Sequence, residues 1–272
     1  MGSGIASLAA RSGFAVLLHD ASSDALSRAE ERITAGYRNA IDKGHLTSPD
    51  ADAARRNLRA DVSADQLAGC SLIIEAIVED LAAKRTLFAS LDTLCPPETL
   101  FATNTSSLSV TALGGATRRP GSVLGLHFFN PPAVMKLVEV VRGAQTSEAA
   151  MRAGVAFVEA LGRIPIVTKD TPGFIVNRVA RPFYGEALRI LGEGVASVEE
   201  IDRIVRLEGG FRMGPFELMD LIGIDVNLSV TQSIYEQTFH EPRYRPHIIQ
   251  QTMVNAGILG RKTKRGFYSY PS

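Results

Sequence analysis

The sequence predicts an α/β chain, with a mostly parallel sheet covered by helices, followed by an all-helical domain. Through the first two thirds, short apolar runs alternate with amphipathic stretches, as strands and helices do when a parallel sheet is buried on both faces. After Lys169 only helical patterns follow. Between the two parts stands Asp170-Thr-Pro-Gly173, a turn-rich boundary. The expected domains are therefore 1–169 and 170–272.

Taken in order, residues 1–10 form a glycine-led helix start, and Ala15-Val-Leu-Leu-His19 is a short apolar strand ending at Asp20. Ser22 or Ser23 caps a long helix that runs to about Lys43. Leu72-Ile-Ile-Glu-Ala-Ile77 is a second strand. A helical pattern over 81–94 follows and stops at Pro96-Pro97. Leu100-Phe-Ala-Thr103 is a third strand. Residues 123–129 and 136–141 read as two more, broken apart by Asn130-Pro131-Pro132. A helix over 148–161 and a strand over 164–168 close the first domain. In the second, helices are expected over 174–191, 198–207, 215–221, 225–239 and 247–254. Ser197 and Glu200 form a capping box, and Gly192, Gly194, Gly209 and Gly210 mark stops.

The bulk numbers narrow the function. The chain has 272 residues, of which 45% are hydrophobic, and Lys+Arg 29 balances Asp+Glu 29. No basic block points to nucleic acid or to an anionic membrane. No apolar run is long enough to span a bilayer. The N-terminus lacks a basic segment and carries Arg11 in its apolar stretch, a poor match to a signal peptide. Two cysteines, Cys70 and Cys95, make no disulfide framework and lack metal-ligand spacing. A cytoplasmic setting and no metal are expected.

The segment from Gly125 to Val141 carries the strongest chemical signal. If its two strands pair antiparallel about Ala133, His127 lies six residues before the centre and Glu139 six after. Directly opposed residues point to one face and interact. An imidazole held by a carboxylate is a general-base arrangement; the alternative is a structural pair that ties two strands together.

A nucleotide site is expected at the carboxyl edge of the sheet. A helix N-terminus opened by glycines suits a pyrophosphate, although of the G-x-G-x-x-G fingerprint only the third glycine, as Gly2, is present. Asp20, at the end of the following strand, suits a ribose 2′-hydroxyl. Ala21 follows it, with no arginine nearby for a 2′-phosphate, so NAD is expected rather than NADP. Glu79, Lys84, Asn104, Ser106 and Ser107 follow the second and third strands and gather at the same edge. Each has a plainer role open to it: Glu79 as first-turn helix charge, Lys84 as solvated helix face, Ser106 or Ser107 as an N-cap.

Asn104-Thr-Ser-Ser107, Gly125-Leu-His-Phe-Phe-Asn-Pro-Pro132, Lys136-Leu-Val-Glu-Val140, Asp170-Thr-Pro-Gly-Phe-Ile-Val-Asn-Arg178, Met213-Gly-Pro-Phe-Glu-Leu218 and Gly266-Phe-Tyr268 occur in this order across the chain. Together they resemble the 3-hydroxyacyl-CoA dehydrogenases, and most of all their bacterial 3-hydroxybutyryl-CoA and phenylacetate-pathway branch. The resemblance implies a Rossmann-like domain, a helical domain that forms a homodimer, and oxidation of the 3-hydroxyl of an acyl-CoA with NAD. It implies His127 as general base and Glu139 as its orienting partner. Ser106 and Asn177 would contact the substrate, and Lys43 is a candidate CoA contact, with a solvated face as its alternative. Asp20 would hold the adenine-side ribose, Glu79, Lys84 and Asn104 would line the nicotinamide end, and Lys262 would reach the cofactor. The family pattern begins with a strand and a complete glycine loop, whereas this sequence opens inside that loop. The resemblance therefore implies two strands without a hydrogen-bond partner, low stability and weak NAD binding. A non-catalytic or impaired homologue is the corresponding alternative function. A different NAD-linked hydroxyacid dehydrogenase is a third, against which the histidine hairpin speaks.

Overall fold

The structure is a computed structural model that describes residues 1–271. Its contacts divide into two compact units, Met1–Asp170 and a second from Thr171 onward.

The first unit begins with α1 (Gly2–Arg11), β1 (Val16–His19), α2 (Ser23–Asp42), α3 (Ser48–Arg56) and β2 (Leu58–Asp61). Then come β3 (Leu72–Glu75), α4 (Leu81–Leu94), β4 (Leu100–Thr103), α5 (Val110–Gly114), β5 (Val123–Phe128), β6 (Leu137–Arg142), α6 (Glu148–Ala160) and β7 (Ile164–Lys169). The caps are those that local chemistry favours: Ser22, Thr47, Asp80 and Ser147 each accept a backbone N–H at the start of α2, α3, α4 and α6.

The strands form two sheets. β1 and β2 pair in parallel, and β3-β4-β5-β6-β7 form a five-stranded sheet in that order. Its one antiparallel pair is β5 with β6. No ladder joins β1 to β3 among the described residues, so each has a neighbour on one side only. β1 is only partly buried, whereas every residue of β5 is enclosed. One core nevertheless spans the break. Ile5, Leu8 and Ala9 of α1 share a cluster with Leu124, Leu126, Val138, Val140, Met151 and Val158, against which Val16, Leu72 and Ile74 pack.

The second unit is helical: α7 (Val176–Gly192), α8 (Val198–Leu207), α9 (Pro215–Ile222), α10 (Ile224–Gln237) and α11 (Ile248–Asn255). Ser197 and Glu200 close the expected capping box. Two buried carboxylates fasten the C-terminal tail. Asp220 accepts the amides of Phe267 and Tyr268 and the hydroxyl of Tyr270, and Asp202 accepts the hydroxyl of Tyr268. Among the described residues, no helix is long and apolar enough to cross a membrane.

Candidate active site

β3, β4 and β5 run in parallel, with Glu75 beside Thr103 and Thr103 beside Gly125. The side chains at and beyond their carboxyl ends therefore meet at one edge. There β5 and β6 pair in the register that a symmetric hairpin predicts, His127 opposite Glu139. His127 Nδ1 lies 2.6 Å from Glu139 Oε2, and the Glu139 side chain is 0% exposed. The ring of Phe129 stands 4.5 Å from the imidazole. A carboxylate in this position can orient an imidazole and select its tautomer.

Beside the hairpin stands a buried polar cluster. Lys84 Nζ lies 2.6 Å from Glu75 Oε1 and 3.2 Å from Glu79 Oε2. Lys84 is 1% exposed, so its reading as a solvated helix face is overturned. The cause is Glu75 at the end of β3, a carboxylate that sequence reasoning did not place in the site. Thr103 Oγ1 and the amide of Ile77 also donate to it. Its signal in the sequence is the one charge that ends the apolar run Leu72-Ile-Ile.

Glu79 precedes the N-cap Asp80, so it does not serve as helix charge. Its Oε1 instead accepts from the Thr105 hydroxyl at 2.5 Å and from the Ser106 amide at 3.0 Å. Burial pushes its carboxyl up, but the hydrogen bond from Thr105 and the charge of Lys84 outweigh that and hold it below the usual range. Ser106 and Ser107 are not N-caps either, since α5 is capped by Ser109. Asn104 is tied at both ends. Its amide donates to Glu75 O at 2.8 Å, and its Oδ1 accepts from Phe128 N at 2.9 Å. The loop after β4 is thereby fixed to β3 and to the strand that carries His127.

The start of α1 lies at the same edge. A Cβ on Gly2 would stand 3.7 Å from Ala76, and one on Gly4 would stand 3.1 Å from Pro132. Asp20 is exposed just beyond β1, and its Oδ1 accepts from Ser22 N. The remaining expected residues lie in other segments of the chain. Lys43 is exposed at the C-cap of α2. Lys262 pairs with Asp225 inside the second unit, at 2.5 Å. Asn177 sits in the first turn of α7, also in the second unit.

The family model for the NAD-binding domain of 3-hydroxyacyl-CoA dehydrogenase matches residues 1–171, and that for its C-terminal domain matches 173–270. The chain belongs to the 3-hydroxyacyl-CoA dehydrogenase family. It is 46% identical, over 99% of its length, to the 3-hydroxyadipyl-CoA dehydrogenase of Escherichia coli, of which it spans 57%. It is 42% identical over 99% of its length to the 3-hydroxybutyryl-CoA dehydrogenase of Bradyrhizobium diazoefficiens, spanning 92% of it. The crystal structure of an E. coli 3-hydroxybutyryl-CoA dehydrogenase superposes with a TM-score of 0.97 at 45% identity, covering 100% of this chain and 58% of that one. NAD is the cofactor named by the family model that residues 1–171 match.

Proposed function

We propose that this chain catalyses the reversible, NAD-dependent oxidation of the 3-hydroxyl of a 3-hydroxyacyl-CoA to a ketone. The observation that carries this is the buried His127–Glu139 pair at 2.6 Å on the carboxyl edge of the sheet. The residues present suit the cofactor. The first amides of α1 lack intrahelical partners and favour a phosphate, and Asp20 offers a carboxylate to the ribose hydroxyls. Glu79, Lys84 and Asn104 supply charge and hydrogen bonds toward the nicotinamide end. NAD, when bound, supplies the acceptor for the hydride.

In oxidation, His127 Nε2 takes the proton of the 3-hydroxyl while Glu139 steadies the imidazolium that forms. In reduction, His127 returns that proton to the ketone oxygen. Ser106 donates to the reacting oxygen, and its loop is held for this by Glu79. Asn177 contributes a further substrate contact, Lys43 meets the CoA moiety, and Lys262 assists cofactor binding. The helical unit forms a homodimer, and the protein works in the cytoplasm.

The names of the relatives support two substrate types. One ends in a methyl group, as in 3-hydroxybutyryl-CoA, and one in a carboxylate, as in 3-hydroxyadipyl-CoA. The test is to mix the protein with acetoacetyl-CoA and reduced NAD and follow loss of the reduced nicotinamide absorbance. Turnover is expected, and its absence would favour the non-catalytic alternative.

A further inference from the structure

Arg181 is a buried cation with no anionic partner among the described residues. It is 5% exposed, and buried arginines are almost always paired with a carboxylate. Here Nε donates to Asn177 O at 3.3 Å, and Nη1 donates to Asn227 O at 2.9 Å and to Thr231 Oγ1 at 3.0 Å. None of these acceptors carries charge. The guanidinium also lies 5.0 Å from the Tyr184 ring. Burial pushes its pKa down to about 10, so it stays charged at neutral pH.

Nη2 donates to no described residue. Among the described residues, the fully enclosed side-chain atoms without a partner are Arg163 Nε and Asn227 Nδ2. Arg181 Nη2 is not one of them, so it keeps access to solvent. The cluster thus holds surplus donors, one of them Asn227 Nδ2, and no spare negative charge. Such a site is complementary to an incoming carboxylate, which the two Nη2 protons and the charge of the guanidinium would meet.

Arg181 also stands one turn after Asn177 on α7. Residues four apart share a helix face with their Cβ atoms about 5–6 Å apart. From the 3-hydroxyl carbon of a six-carbon acyl chain to a carboxylate at its far end is three carbon–carbon bonds, a span of the same order. Resting on the functional reading above, we propose that Arg181 receives a carboxylate at the far end of the acyl chain. The preferred substrates are then 3-hydroxy dicarboxylic monoesters of CoA, and Arg181 sets that preference.

The test compares 3-hydroxyadipyl-CoA with 3-hydroxyhexanoyl-CoA, which have equal carbon number and differ at the chain end. The unmodified protein is expected to have the higher kcat/KM for the carboxylate substrate. Arg181→Met should lower the ratio of the two kcat/KM values by about ten- to a hundredfold, the effect of losing a hydrogen bond between charged groups. Arg181→Lys should lower it less. An equal loss for both substrates would mark Arg181 as structural, or as a contact to the CoA phosphates, and would overturn the proposal. Should the variants fail to fold, the unmodified protein still decides: a preference for the hexanoyl chain overturns it. No turnover of either substrate would sink the functional reading itself.

Discussion

At the scale of single residues, Glu75 governs its neighbours. It joins Lys84, Thr103 and the Ile77 amide in one buried network, with Lys84 and Glu75 both 1% exposed. Removing one member of a buried ion pair leaves the other uncompensated, which costs about 3–5 kcal/mol. Because Lys84 keeps Glu79 as a second partner, Glu75→Gln is expected to lower the unfolding free energy by less than that, about 1–3 kcal/mol, and to raise the KM for NAD through displacement of Lys84 and Glu79. Denaturant titration and steady-state kinetics check the two effects, and the coupling to Lys84 can be isolated by a double-mutant cycle. Asp20→Ala should reduce discrimination between NAD and NADP, read as the ratio of kcat/KM values. The His127–Glu139 pair was legible in the sequence because its register depends only on a turn of known centre. Glu75 was not, because a strand carboxylate shows its partner only once the helix nine residues later has folded over it.

At the scale of elements, most boundaries follow from local chemistry. Ser22 and the Ser197/Glu200 box placed their helices correctly, since caps are set by neighbours in sequence. α3 and β2 escaped notice. α3 buries only Ala51 and Ala54, and β2 has four residues with none fully enclosed, so neither carries a strong apolar period. The approach of α6 to the sheet is set by Gly154, where an added Cβ would collide with Leu124 and stand 3.3 Å from Val140. Both neighbours are fully buried, which leaves little room to adjust. Gly154→Ala is expected to destabilise the first unit by about 1–3 kcal/mol, despite the higher helix propensity of alanine, and thermal melting measures it. On α8, Ile204 and Leu207 are exposed at 60% and 67%. The proposed dimer would cover this apolar face. Light scattering is expected to give a dimer, and Leu207→Asp to shift it toward monomer.

At the scale of the whole molecule, the alternation of strands and helices was enough to give the α/β architecture and the helical second part. The division into two sheets was not legible from periodicity, since a pattern along the chain says nothing about which strands pair; the resemblance implied only that two strands lack a partner. The fold should lose stability in acid. Burial raises the carboxyl of Asp92, but hydrogen bonds from Arg118 and Arg119 outweigh this and hold it below the usual range. With a folded pKa below the unfolded value of about 3.9, its contribution is full above that value and is lost as pH falls through the folded one. Asp92→Asn should flatten the melting temperature against pH in that window. The central claim is that His127, held by Glu139, moves the proton of the 3-hydroxyl. The most direct measurement is turnover of acetoacetyl-CoA with reduced NAD by the unmodified protein and by His127→Gln, with melting temperatures compared in parallel. The account predicts an intact fold and a kcat lowered by about 10²–10⁴-fold. A folded His127→Gln protein with near-normal kcat would contradict it.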